Sequence, residues 1–283
     1  MLKKTKFASM VLILVSLFLM SCSESGVEPG EVVSHQIDDT LHVFIQGSAA
    51  EVIPDVEEEP TEYWEDGKDL SWDNGNSEGV IKDFEYNEVQ NSLLQDNGIT
   101  ELVIHDGIKE IGAFAFFNND LEDLTLADSV TMIGSRAFRE NELTSLTIPD
   151  SVTTIGSRAF RSNQLESITL GSGVTTIEDL AFNDNQLSSL SVPDNVTTLE
   201  NGAFSNNELT EITLGSGIDT IQPATFWDSA LTSITIGENV EIHDDEHTQS
   251  DSMMGTNRGF KEVYEEEGKE AGTYTWNGDS WEK

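Results

Sequence analysis

The sequence predicts a repeat solenoid, built of 22-residue repeats stacked as parallel β-strands with short turns or helical returns and capped at both ends. Three observations predict it. Phe116, Phe138, Phe160, Phe182, Phe204 and Phe226 stand 22 residues apart without insertion or gap. Leu121, Leu143, Leu165, Leu187, Leu209 and Leu231 keep the same period, as do the branched residues Val130, Val152, Val174, Val196, Ile218 and Val240. A polar column, Asn97, Asn119, Asn141, Asn163, Asn185 and Asn207, runs between the apolar ones and ends at Ser229.

Residues 142–163, ELTSLTIPDSVTTIGSRAFRSN, show how one repeat is built. Leu146 and Ile148 are two residues apart, as in a strand with one face buried. The column Ala127, Pro149, Gly171, Pro193, Gly215 and Gly237 ends that strand with turn residues. Val152 to Ile155 reads as a second, shorter extended segment, and 156–161 as a tight or short helical return. The Asn column is expected to face inward, where an amide can donate to and accept from the backbone of adjacent coils.

These residues carry a family resemblance. IPDSVTTIGSRAF, with IGSRAF at 133–138 and IGAFAF at 111–116, resembles the BspA-like leucine-rich repeat family. Phe260, Tyr264, Gly268, Lys269 and the run 271–281 resemble the segment that closes such domains. The resemblance implies a leucine-rich-repeat solenoid over roughly 86–283, and a bacterial surface protein concerned with adhesion and protein binding. In one respect the chain departs from the family, with Asn at a position that the family often fills with Cys.

The chain opens with Lys3, Lys4 and Lys6 followed by an apolar run over 7–20. This has the form of an export signal rather than a spanning helix. It ends in Leu19-Met20-Ser21-Cys22, which resembles a lipobox with Cys22 as the lipidated residue. As Cys22 is the sole cysteine, no disulfide can form within the chain. The organisation read from sequence is a lipoprotein signal peptide over 1–21, an acidic and mostly disordered linker over 22–85, about seven repeats over 86–242, and a C-terminal loop and cap over 243–283. Within the linker, 41–45 and the aromatic stretch 63–72 are the more ordered candidates, the latter as a hairpin over Asp66-Gly67. Residues 84–94 are expected to cap the N-terminal end of the stack. Tyr274 to Trp281, with Asn277-Gly278 between aromatics, predicts a hairpin that covers the other open edge.

A net charge of −39 sets the surface chemistry. Residues 23–88 carry 19 acidic against 2 basic residues, and 89–241 carry 23 against 5. Such a surface repels phosphate backbones, so nucleic acid is not an expected partner. Four of the five bases lie in two columns of adjacent repeats, Arg136 with Arg158 and Arg139 with Arg161. One repeat earlier the same columns hold Phe114 and Phe117. Arginine beside aromatic residues on an acidic body has the composition of an interface hot spot, or of local charge neutralisation. A second candidate is the strand face formed by Ser145, Thr147, Ser167, Thr169, Ser189, Ser191, Ser233 and Thr235.

His243, Glu246 and His247 match the spacing of an inverted zinc-peptidase motif, but in a polar run with no amphipathic helix around them. No catalytic residue, metal site or cofactor is therefore expected. The expected function is that of an exported, lipid-anchored adhesion or protein-binding module in the cell envelope, at the outer membrane or cell surface. Its partners would be a protein, matrix or cell-surface ligand and the membrane through Cys22. The alternatives are an exported metal-handling protein or hydrolase using 243–247, and a structural envelope protein.

Overall fold

A computed structural model describes residues 100–243 and 259–283, together with the backbone of four earlier strands. Those strands form two antiparallel hairpins, β1 (Val32–Ile37) with β2 (Thr40–Ile45), and β3 (Gly75–Asn76) with β4 (Val80–Ile81). Long and short strands then alternate. They are β5 (Glu101–Ile104), β6 (Glu110–Ile111), β7 (Asp123–Leu126), β8 (Met132–Ile133), β9 (Ser145–Thr147) and β10 (Thr154–Ile155). The alternation continues through β11 (Ser167–Thr169), β12 (Thr176–Ile177), β13 (Ser189–Ser191), β14 (Thr198–Leu199), β15 (Glu211–Thr213) and β16 (Thr220–Ile221). It ends with β17 (Ser233–Ile236) and β18 (Glu241–Ile242), before helix α1 (Phe260–Glu266) and the hairpin β19 (Gly272–Trp276) and β20 (Trp281–Glu282).

From β5 and β6 onward the coils pair in parallel in a register of 22 residues, such as Leu146 with Ile168 and Ile155 with Ile177, which shortens to 21 only at the last pair, Ile221 with Ile242. The short strands form one unbroken sheet from β3 and β4 through β6 to β18. The core lies between the two rows of strands. Phe116, Phe138, Phe160, Phe182 and Phe204 are fully buried and stack nearly parallel, with ring centroids 5.2–5.4 Å apart. One ring per coil thus fills a single continuous column, so no coil has a core without its neighbours.

The Asn column does face inward. Asn119, Asn141, Asn163, Asn185 and Asn207 are all less than 9% exposed. Asn163 Nδ2 donates to the carbonyls of Phe138 and Phe160, at 2.9 and 3.1 Å, while its Oδ1 accepts the Leu143 N–H at 3.2 Å. Asn141, Asn185 and Asn207 repeat the pattern, so each of these amides ties its own coil to the one before it.

The long strands do not form the single sheet that the period suggests. They divide into β1-β2-β5-β7, β9-β11 and β13-β15-β17-β19-β20, which leaves seams at β7/β9 and β11/β13. Both seams precede a coil whose turn carries proline, Pro149 or Pro193. In the unbroken part, the Ala127 N–H donates to the Ile104 carbonyl at 3.0 Å. Pro149 and Pro193 hold the equivalent place and have no N–H to give. Their coils bind tightly on the other side. Gly171 and Gly215 sit so close to the Pro149 and Pro193 carbonyl oxygens that a Cβ would lie 2.3 and 2.4 Å from them. The true unit over 142–229 is therefore a pair of coils, 44 residues long, with Pro-Asp on the first turn and Gly-Ser-Gly on the second.

The hairpins at the N-terminal end lie within 22–85, the stretch read from composition as linker. β2 pairs in parallel with β5, and β4 with β6, so both sheets begin inside that stretch. Sixteen residues of that stretch stand in these strands. Of β2, residues 41–45, five of its six, were singled out by sequence as the more ordered part of that stretch. The candidate hairpin at 63–72 and the cap at 84–94 lie outside the described residues, as do Cys22 and the signal segment. At the C-terminal end the expected hairpin is present. β19 pairs antiparallel with β17, and β20 folds back on β19. Helix α1 packs Phe260 against Tyr274 and Trp281 at 5.6 and 5.2 Å. Tyr264 Oη donates to the Gly237 carbonyl at 2.7 Å and accepts the Val240 N–H at 3.0 Å, which locks the cap onto the last coil. Burial raises the Tyr264 phenol above its ordinary range, so it stays a neutral donor.

Candidate functional site

The return of each coil consists of two hydrogen-bonded turns. Arg158 and Ser162 both have left-handed backbone, at φ 58° and 57°. Phe114 and Arg136 repeat the first of these, and Asn118 and Glu140 the second. A left-handed non-glycine residue is disfavoured by about 1–2 kcal/mol. The conformation is held because its N–H points along the stack. Phe114 donates to Ser135, Arg136 to Ser157 and Arg158 to Asp179, all at 2.9 Å. The same geometry aligns the side chains of successive coils in rows.

Those rows bring the six predicted residues together. Phe114 and Phe117 meet edge to face with centroids 5.8 Å apart. The Arg136 guanidinium carbon lies 5.1 Å from the Phe114 centroid, and that of Arg139 lies 5.5 Å from Phe117. Both distances are within the range of cation–π attraction. On the next coil, Arg158 pairs with Asp179 at 3.2 Å, and Arg139 pairs with Glu140. Arg139 Nε and Arg161 Nε are buried without a hydrogen-bond partner. Arg136 is pushed below its ordinary pKa, by burial first and then by the charges of Arg158, Arg139 and Arg161. Four guanidiniums are thus crowded together, with carboxylate pairing at Arg139 and Arg158. Trp227 continues the row of Phe117, Arg139 and Arg161, but it stands three coils beyond Arg161, is 40% exposed and is not part of the cluster.

The strand face is less uniform than its sequence. Ser145, Thr147, Ser167, Thr169, Ser189 and Ser191 are exposed, whereas Ser233 and Thr235 are half-buried. β19 lies beside the last two, and Thr235 Oγ1 meets Thr273 Oγ1 at 2.8 Å. The β11/β13 seam further divides the face into two parts. Neither the seam nor the partial cover was predicted, because both depend on which coil carries proline and where the cap folds back. Of the histidine motif only His243 is described, exposed just past β18, and Glu246 and His247 lie outside the described residues. Among the described residues no group of three or more His, Cys, Asp or Glu is placed to hold a metal ion.

The family model for the BspA type leucine rich repeat region matches in six copies, over residues 87–208 and 131–253. The chain belongs to the BspA-type leucine-rich repeat family. No curated protein matches it. Solved structures with a similar course include a leucine-rich repeat protein from Eubacterium ventriosum, 18% identical over 78% of this chain and 43% of that one, at a TM-score of 0.42. A leucine-rich repeat protein from Bacteroides ovatus is 20% identical over 76% of this chain and 66% of that one, at 0.39. A leucine rich cell surface protein from Faecalibacterium prausnitzii is 18% identical over 76% of each chain, at 0.35. The BspA-type chain therefore spans about two-fifths to three-quarters of the length of these neighbours, and its membership rests on the repeat match.

Proposed function

We propose that this protein is a non-catalytic, surface-displayed protein-binding module, and that the cluster of Arg136, Arg139, Arg158 and Arg161 with Phe114 and Phe117 is its contact surface. One observation carries the reading. On a chain of net charge −39, four guanidiniums are held within one patch, two of them over aromatic rings, and they are incompletely paired. Bringing like charges together is unfavourable, and a partner that supplies carboxylates relieves it through charge-assisted, bidentate contacts. Membership of a leucine-rich repeat family supports protein as the ligand class. Replacing all four arginines by serine is expected to leave the melting temperature within a few degrees of wild type. Capture of acidic proteins from a cell-surface or matrix extract is expected to fall about tenfold or more at low salt. Equal capture of the same proteins by wild type and variant at two salt concentrations would reduce the cluster to charge neutralisation.

The proposed display route is a lipid anchor at Cys22, supported by the basic start, the apolar run and the Leu19 to Cys22 sequence. No helix among the described residues is long and apolar enough to cross a membrane. Cys22→Ala is expected to abolish metabolic labelling with a fatty acid and to move the protein to the soluble fraction. Unchanged labelling and membrane partition in that variant would reject the anchor.

A further inference from the structure

The seam between β11 and β13 opens a cleft on the strand side of the solenoid. Its floor is Ile168, Leu170 and Pro193, and its rim carries Asp150, Ser172 and Asp194. Ile168 and Leu170 are half-buried, whereas their counterparts Leu146, Ile148, Leu190 and Val192 are 5% exposed or less. Leu124, on the strand before the other seam, is half-buried too, but there Leu126 is closed over, whereas beside Pro193 both strand residues are open.

The size of the opening limits what can enter. Across the same seam Phe182 and Phe204 still stack at 5.3 Å, and Thr176 and Ile177 still pair with Thr198 and Leu199. An inserted strand needs about 4.8 Å more between neighbours, so the two coils admit side chains and not backbone. The rim fixes the charge of the occupant. Asp150 Oδ1 accepts the Ser172 N–H and hydroxyl at 2.6 and 3.0 Å, and Asp194 Oδ1 accepts those of Ser216 at 2.7 and 3.1 Å. These bonds orient each carboxylate and leave Oδ2 without a partner among the described residues. They also hold the Asp194 carboxyl below its ordinary range, so it is ionised at neutral pH. No base lines the cleft, and neither aspartate forms an ion pair among the described residues. The two carboxylates lie two coils apart, about 10 Å, one on either side of the opening.

We propose that this cleft is a docking site for a long cationic side chain, lysine or arginine, presented by a partner protein, with its methylenes on Ile168, Leu170 and Pro193 and its charge between Asp150 and Asp194. An apolar floor beneath a charged rim suits a side chain whose stem is aliphatic and whose head is cationic. The site shares no residue with the arginine cluster and selects the opposite charge, so it stands or falls independently of that reading.

The probe is the peptide acetyl-Gly-Lys-Gly-amide, titrated into the full chain at two salt concentrations and followed by amide chemical shifts. Shifts are expected to concentrate at Leu170, Ser172, Ser191 and Asn195, and to be absent with norleucine in place of lysine. Asp150→Asn with Asp194→Asn keeps the Oδ1 acceptors for Ser172 and Ser216 and removes only the charge. This variant is expected to raise Kd about tenfold or more, while the equally neutralised pair Asp184→Asn and Asp228→Asn changes it less than about twofold. If the first pair perturbs the spectrum of the free protein, Asp194→Asn alone gives the same comparison. Equal weakening by both pairs, shifts spread over the whole acidic surface, or equal binding of the norleucine peptide would overturn the proposal.

Discussion

Replacing Asn163 by leucine is expected to destabilise the protein by about 2–6 kcal/mol, read as a lowered denaturation midpoint in urea. The side chain satisfies two carbonyls, those of Phe138 and Phe160, and one N–H, that of Leu143. All three are backbone groups in a site only 8% exposed. Leucine has nearly the same volume, so no cavity forms. The Leu143 N–H is orphaned, at about 1–3 kcal/mol, while each carbonyl keeps one amide donor, Asn141 on Phe138 and Asn185 on Phe160, and loses a bond worth about 0.5–1.5 kcal/mol. Asn163→Asp is a sharper variant, because a carboxylate still accepts from Leu143 but turns an anion towards two carbonyl oxygens. It is expected to be at least as damaging at neutral pH and less so in acid, where the protonated form again donates. A midpoint unchanged by either substitution would mean that the column contributes nothing to the joining of coils.

Phe160→Ala is the second large effect, expected to cost about 3–5 kcal/mol. The ring is fully buried between Phe138 and Phe182, at 5.3 and 5.4 Å, so its removal leaves a gap bounded by two stacked rings. Collapse is opposed because the coils are held at their spacing by the unbroken sheet of short strands. The effect should not add simply to that of Asn163→Leu. The Phe160 carbonyl is one of the groups that Asn163 holds, and residues sharing partners couple by about 0.5–3 kcal/mol.

Much of this architecture was legible because a gapless period leaves few ways to fold. Once Phe and Leu recur every 22 residues, the register of each coil on the next follows, and so does the inward face of Asn. The two rows of arginine were equally legible, since residues one period apart become neighbours. Other features depend on properties that periodicity does not carry. The seams follow from the missing N–H of Pro149 and Pro193, which is invisible in a column that merely alternates proline and glycine as turn residues. The left-handed backbone at Phe114, Arg136 and Arg158 has no sequence mark, because those residues gain their conformation from bonds to the next coil. Apart from 41–45, the N-terminal hairpins escaped because β1 to β4 are short and surrounded by acidic residues. Helix α1 is only seven residues long, and the spacing of Phe260 and Tyr264 was its single sign.

The measurement that bears most directly on the account is a deletion series judged by both folding and binding. Removing residues 164–207 takes out 44 residues, a whole pair of coils, and sets Gly215-Ser216-Gly217 of the next coil on Pro149-Asp150. It keeps Phe114, Phe117 and all four arginines of the cluster and removes Asp179, the carboxylate paired with Arg158. Removing 164–196 instead takes out one and a half coils and puts strand residues over turns. The 44-residue deletion is expected to melt cooperatively, to be about 10 Å shorter by small-angle scattering, and to capture acidic partners undiminished. The 33-residue deletion is expected to lose cooperative melting. If the in-phase deletion unfolds as readily as the out-of-phase one, or folds yet loses its partners, then a solenoid of interchangeable coil pairs carrying a local arginine cluster is the wrong account.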